Sequence, residues 1–176
     1  MFLYSEKRKS CFFILLLSLS AFLLINNAYY GFGWTDEALY TATANSLYHG
    51  NRLFFDIFEP TQIYSVLVYP LFYIFVKLTG STDYIYLFMR IATIIIQFAT
   101  SVFVFFILSK KYKKTVSFIA SFTVLVFSRA QLFGPSYYTF VLVNFTIANI
   151  LIFYVFELKA KSAWLFVSGI FHGFAI

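Results

Sequence analysis

Long runs without a single charged residue constrain this chain more than any other feature. One such run covers residues 10–35 and another covers residues 91–109. A helix needs about 20 mostly apolar residues to cross the hydrocarbon core of a bilayer. Only 11% of the 176 residues are charged and 61% are hydrophobic, whereas soluble domains carry about 25% charged residues. The sequence therefore predicts an all-α, polytopic membrane helix bundle.

The basic residues lie in short clusters between the apolar runs, as at residues 7–9 and 110–114. A net charge of +6 by itself would suggest a nucleic-acid partner. Clusters of this kind are instead typical of the cytoplasmic loops of membrane proteins. We therefore predict no nucleic-acid partner, a surrounding of membrane lipids, and a multi-pass protein of the cell membrane with a cytoplasmic N-terminus.

The apolar runs predict four full spans and a partial fifth. Gly134 and Pro135 separate the third span from the fourth, because proline cannot continue a helical hydrogen-bond ladder. The last run is too short to cross the bilayer as a helix, so we expect the sequence to be the N-terminal part of a larger protein or a truncated product. The predicted spans are residues 10–28, 91–109, 115–133, 136–156 and, in part, 162–176.

The apolar run at residues 61–76, which contains Pro70, needs a separate interpretation. If it crossed the membrane, the basic cluster at residues 110–114 would face outside, against the preference of Lys and Arg for the cytoplasmic side. We therefore interpret it as an amphipathic or re-entrant helix on the outer leaflet. Residues 29–84 then form one large external loop, which holds five of the seven acidic residues.

Two adjacent acids, Asp36 and Glu37, lie near the start of this external loop. Carboxylates at a membrane edge are costly unless they are solvated or paired, so we treat the pair as a candidate site. A structural alternative exists, because acids in the first turn of a helix stabilise it by about 0.3–1 kcal/mol each. Thr35 can cap such a helix, and Gly50 can end it.

Residues 33–40, Gly-Trp-Thr-Asp-Glu-Ala-Leu-Tyr, resemble the start of the first external loop in the GT-C class of membrane glycosyltransferases. The likeness is to glycosyltransferase family 39, the dolichyl-phosphate-mannose-protein mannosyltransferases and lipid A aminoarabinose transferases. In that family an acidic pair opens a helix, and a glycine turn, a proline before an apolar helix, a Leu-x-Gly turn and an arginine follow. The matching residues here are Asp36, Glu37, Gly50, Pro60, Leu78, Gly80 and Arg90. The resemblance covers about residues 10–175.

The resemblance implies transfer of a hexosyl or pentosyl group from a polyprenyl-phosphate donor to a lipid, glycan or protein acceptor at the outer face of the membrane. It implies inversion at the anomeric carbon, with Asp36 as the catalytic base and Glu37 as a neighbour that orients it or helps to hold the acceptor. The leaving phosphate needs positive charge or a metal ion. The candidates for binding it are Arg90, Arg52 and Arg129, and for Arg90 and Arg129 a snorkelling anchor is the structural alternative. A divalent cation fits this chemistry, but the sequence shows no set of metal ligands, so no cofactor is assigned.

One feature departs from the family pattern. Several members carry a second acid at the outer turn between the third and fourth spans, whereas residues 132–136 contain none. The later spans and the soluble part of full members are also missing, so we expect this chain to be incomplete as an enzyme. Two alternatives stay open. One is a non-catalytic membrane protein such as a transporter or lipid-carrier component, for which charges inside the spans are expected. The other is an inactive relic of the enzyme.

Overall fold

The computed structural model describes residues 2–31, 36–58, 62–127 and 134–175, without the side chains of residues 2–7 and of Asp36. Within these segments the chain is helical and forms no strand, which confirms the all-α prediction. A single 3₁₀ turn, Gln62–Tyr64, precedes the third helix. The α-helices are α1 (Phe2–Asn27), α2 (Asp36–Tyr48), α3 (Ser65–Thr79), α4 (Ile85–Leu108), α5 (Lys114–Val126), α6 (Tyr137–Leu158) and α7 (Ala163–Gly173).

Four helical stretches in the described segments are long and apolar enough to cross a membrane, which makes the chain a membrane-embedded helical protein. They are Arg8–Asn27, Gln62–Thr79, Ile85–Leu108 and Tyr137–Leu158. Three of them coincide with spans predicted from the sequence. The fourth, Gln62–Thr79, is the segment for which we predict a position on the outer leaflet, and that placement stays a prediction.

The span predicted over residues 115–133 contains the 13-residue helix α5, and residues 128–133 of it lie outside the described segments. As a helix, 13 residues reach about 20 Å, which is less than the hydrocarbon core of about 30 Å. Helix α4, by contrast, is longer at its start than the predicted span. It begins at Ile85, whereas the span was predicted to begin at residue 91. Arg90, which was predicted to border the span, therefore lies within the helix, where it pairs with Glu37.

The chain divides into two compact units. The bundle unit comprises Met1–Leu24, Ile95–Phe127 and Val141–Ile176. The loop unit comprises Ile25–Ile94 and Ser128–Phe140.

Small hydroxylated residues bring helices together within the bundle unit. Ser101 on α4 donates to the backbone carbonyl of Ser121 on α5 at 2.5 Å, and Ser168 on α7 donates to the carbonyl of Ala148 on α6 at 2.9 Å. These serines are buried. Small side chains at a helix contact let two backbones approach closely, and the hydroxyl adds a hydrogen bond in an apolar setting.

The end of α5 is held by a glutamine of α4. Gln97, which is 1% exposed, donates its amide N–H groups to the carbonyls of Phe127 at 2.9 Å and Val124 at 3.3 Å. The last carbonyls of a helix have no partner within the helix itself. The glutamine side chain supplies one, so α5 can end within the described fold without leaving these carbonyls unpaired.

The loop unit is built on α2 and α3, which pack against each other. Its buried core combines Tyr40 and Ala44 of α2, Val68 and Phe72 of α3, and Met89 of α4. Burying large apolar side chains stabilises a fold by about 1.5–3 kcal/mol each. This cluster therefore fixes α2, and with it the acidic pair at its first turn, relative to α3 and the start of α4.

The boundaries of α2 and α3 follow the turn signals of the sequence. Helix α2 begins at Asp36 and ends at Tyr48, shortly before Gly50, whose φ is 89°. Helix α3 ends at Thr79 and is capped by Gly80, whose φ is 68° and whose N–H donates to the carbonyl of Val76. Glycine adopts this left-handed conformation without the steric cost that other residues meet.

Candidate functional site

Glu37 lies in the first turn of α2. Its carboxylate binds the guanidinium group of Arg90, which lies on α4. Arg90 Nε donates to Glu37 Oε1 at 2.6 Å, and Arg90 Nη2 donates to Oε2 at 2.8 Å. Both side chains are 8% exposed. Two parallel hydrogen bonds between a guanidinium and a carboxylate give the strongest and most directional form of ion pair. The geometry therefore holds Glu37 in one orientation.

The remaining contacts of Arg90 tie the ion pair to the chain that follows α1. Its Nη1 atom donates to the carbonyl of Ala28 at 2.9 Å and to that of Gly31 at 3.1 Å. Arginine carries five N–H donors, and the four hydrogen bonds to Glu37, Ala28 and Gly31 engage most of them. One side chain thus joins the end of α1, the first turn of α2 and the start of α4.

This arrangement decides what Glu37 and Arg90 can do chemically. Both carboxylate oxygens of Glu37 accept from Arg90, so this acid is poorly placed to take a proton from a substrate. It is well placed to position the start of α2, where Asp36 is its chain neighbour. Arg90 has few donors left for a phosphate. Its role in binding the donor stays a prediction, whereas its role in positioning Glu37 is directly visible.

Gly134, which lies shortly before α6, packs close to the side chain of Glu37. A Cβ atom built onto Gly134 would lie 3.5 Å from Cβ, Cγ and Cδ of Glu37. Gly134, which belongs to the segment that lacks a second acid, therefore lies close to Glu37. An acidic side chain at Gly134 would begin in van der Waals contact with Glu37 and would add a second negative charge near a carboxylate that is already paired with Arg90.

The other predicted phosphate ligands are not brought to this ion pair within the described segments. Arg52 pairs with Asp56 four residues later, through Nε to Oδ2 at 3.2 Å, and its backbone N–H donates to the same oxygen at 2.8 Å. These bonds, the backbone one first, lower the pKa of Asp56. Arg129 lies outside the described segments, as does the side chain of Asp36.

Two buried hydroxyl groups near the start of α3 are not among the site residues predicted from the sequence. In the described part of the chain, the side-chain oxygens of Tyr64 and Ser65 have no hydrogen-bond partner. The ring of Tyr64 packs edge-on against Tyr137, with the centroids 5.0 Å apart. Buried polar groups normally have partners. A tyrosine in an apolar helix reads in the sequence as an aromatic packing residue, so no local signal distinguishes this one.

Comparison of the chain with models of protein families, with curated proteins and with solved structures finds no match in any of the three.

Proposed function

We propose that this chain carries the acceptor-activating part of a membrane glycosyltransferase. In this proposal a sugar moves from a polyprenyl-phosphate donor to an acceptor hydroxyl at the outer face of the membrane. The protein lies in the cell membrane with its N-terminus in the cytoplasm. The observation that carries the proposal is the buried, bidentate ion pair between Glu37 and Arg90 at the first turn of α2.

The cost of burying this ion pair supports a role beyond packing. Removing two charges from water costs several kcal/mol per ion, and well-packed apolar residues of similar volume often serve stability as well or better. A chain that is 61% hydrophobic could supply such residues easily. The ion pair lies instead in the first turn of a helix, where the helix dipole also favours negative charge, and Asp36 is the chain neighbour of Glu37.

The proposed reaction assigns one role to each residue. The acceptor oxygen attacks the anomeric carbon, the bond from that carbon to the phosphate oxygen breaks, and the acceptor proton passes to the Asp36 carboxylate. Polyprenyl phosphate leaves with the bonding electron pair. Glu37 and Arg90 are positioning residues that hold the first turn of α2. Arg90, Arg52 and Arg129 stay the candidate partners of the leaving phosphate, although Glu37 already engages Arg90 and Asp56 already engages Arg52.

The test compares Asp36→Asn with Asp83→Asn in membranes that contain the complete protein. Asp83 is an exposed acid in the turn before α4, so it controls for the loss of one carboxylate from the same unit. Transfer of radiolabelled sugar is measured from a panel of polyprenyl-phosphate sugars. We expect Asp36→Asn to lose about 10²–10⁴-fold in rate, the usual contribution of a general base, and Asp83→Asn to retain the wild-type rate.

Near-normal transfer by Asp36→Asn would remove the proposed base. A complete wild-type protein that transfers no sugar from any donor would favour a non-catalytic membrane protein or an inactive relic. The transporter alternative gains no support from the polar groups of the bundle unit described above, because Gln97, Ser101 and Ser168 each donate to a backbone carbonyl of another helix or its end.

A further inference from the structure

A short loop of the loop unit exposes three phenylalanine side chains. We define the aromatic loop as residues 52–58. In it Phe54 is 62% exposed, Phe55 is 68% exposed and Phe58 is 81% exposed. Single exposed apolar residues are common on protein surfaces, whereas several in one contiguous patch mark an interaction surface. Three exposed rings within seven residues make the aromatic loop a candidate interaction surface.

The aromatic loop is held in shape by hydrogen bonds, so the exposure of its rings is a property of the fold. Asp56 accepts from both the backbone and the side chain of Arg52. The backbone N–H of Phe54 donates to Oε1 of the buried Gln62 at 2.9 Å. Phe54 itself adopts a φ of 64°, an uncommon conformation for a residue with a side chain. These contacts direct the rings outward and fasten the loop to the start of the apolar stretch Gln62–Thr79.

The exposed face of that stretch continues the apolar surface. Ile63, Val66 and Ile74 are 60%, 47% and 49% exposed, and their spacing of three to four residues or multiples of it places them along one side of the helix. The stretch Gln62–Thr79 is long and apolar enough to cross a membrane, so contact with lipid suits its exposed side chains. Whether this stretch crosses the bilayer or lies along it, its first residues and the loop fastened to them belong at a membrane surface.

The aromatic loop also contains an exposed cation, Arg52, which shares its charge with the carboxylate of Asp56. The guanidinium carbon of Arg52 lies 5.0 Å from the ring centre of Phe55, and the Arg52 side chain is 70% exposed. An arginine beside aromatic rings suits the boundary at which rings reach the acyl chains and a cation reaches lipid phosphates.

We propose that the aromatic loop inserts Phe54, Phe55 and Phe58 into the outer leaflet, with Arg52 at the level of the lipid phosphates. The occupant of this surface is bilayer lipid. The inserted rings extend the lipid contact of the Gln62–Thr79 stretch and hold the α2–α3 pair against the membrane. This proposal stands independently of any transfer reaction.

The test places one fluorescent label at a time on the full chain. The only cysteine is Cys11, so the background is Cys11→Ser. Into it are introduced Phe55→Cys and Phe58→Cys, with Asn51→Cys as the matched control, an exposed polar position directly before the loop. Each variant is labelled with the environment-sensitive dye NBD and placed in lipid nanodiscs, which expose both membrane faces to buffer. Quenching is measured with aqueous iodide and with phosphatidylcholine that carries a spin label at a shallow or a deep acyl position.

We expect NBD at positions 55 and 58 to emit at shorter wavelength than at position 51, and to be quenched by iodide several-fold less. Shallow spin labels should quench these two positions more than deep ones, because interfacial segments sit about 5–10 Å into the boundary between headgroups and acyl chains. All three native side chains are exposed, so the substitutions remove little packing, and a monodisperse elution profile confirms folding.

Two results would overturn the proposal. Iodide quenching at positions 55 and 58 equal to that at position 51 would place the aromatic loop in water. Protection from both iodide and spin-labelled lipid would show that protein covers the rings, and loss of that protection at one chain per nanodisc would identify a second copy.

Discussion

The Glu37–Arg90 ion pair allows a direct test of how the loop unit is held together. The perturbation is Arg90→Met, which keeps most of the side-chain volume and removes the charge. It leaves the Glu37 carboxylate, 8% exposed, without its partner, and it removes the donors to the carbonyls of Ala28 and Gly31. The companion variant is the double substitution Glu37→Met with Arg90→Met.

The magnitude follows from the geometry. Breaking a buried ion pair by removing one partner costs about 3–5 kcal/mol, because a charge is left uncompensated. At about 1.4 kcal/mol per factor of ten, the unfolding equilibrium shifts by about 10²–10⁴. The double variant leaves no buried charge and loses only the bonds to the two carbonyls, at about 1–3 kcal/mol in all. Arg90→Met should therefore be less stable than the double variant, although it carries fewer substitutions.

The assay is reversible unfolding in mixed micelles of a mild detergent and sodium dodecyl sulfate, followed by circular dichroism. Lys77→Met serves as the control, since Lys77 is an exposed cation at the end of α3, and exposed substitutions usually change stability by less than about 0.5 kcal/mol. If Arg90→Met behaved like Lys77→Met, or if the double variant were less stable than Arg90→Met, the reasoning from a buried, mutually dependent pair would be refuted.

Two further predictions concern the membrane topology and the bundle unit. A cysteine at Asn51 in the Cys11→Ser background should react with an impermeant maleimide added to intact cells. A cysteine at Tyr112 should react only after the cells are permeabilised. The opposite labelling would reverse the predicted orientation. Gln97→Leu should lower the free energy of unfolding by about 1–3 kcal/mol, because two partly buried carbonyls at the end of α5 lose their donor. Asn149→Leu, at an exposed amide that donates only within its own helix, should cost far less in the same micelle assay, and equal effects would contradict the capping role.

Much of the secondary structure could be predicted because its signals are local. The charge-free runs mark the stretches Arg8–Asn27, Ile85–Leu108 and Tyr137–Leu158 as candidate spans. Gly50 and Gly80 mark the ends of α2 and α3, since glycine accepts the positive φ that these turns require. Helix formation and hydrophobic length depend on residues close in sequence, so a single chain suffices to read them.

Local sequence signals failed where a partner distant in sequence changes the free energy of burying a polar or charged side chain. Arg90 was predicted to border a membrane span and to bind phosphate, yet it lies within α4, buried and paired with Glu37, 53 positions away in the chain. The glutamine at position 97 gave no sign that it would cap α5. In both cases the deciding interaction is a hydrogen bond across a large sequence separation, which no periodicity encodes.

By itself the sequence determined that this protein is a bundle of apolar helices. It also indicated that an acidic pair opens a helix within the long segment between the first two predicted spans. Hydrophobic length and turn chemistry are enough for that. Only the tertiary structure decided that one acid of the pair, Glu37, forms an ion pair with Arg90 and lies close to Gly134. It also decided that three phenylalanine side chains before α3 are exposed. Burial and pairing of charge depend on which segments meet in space, and the folded chain alone supplies that information.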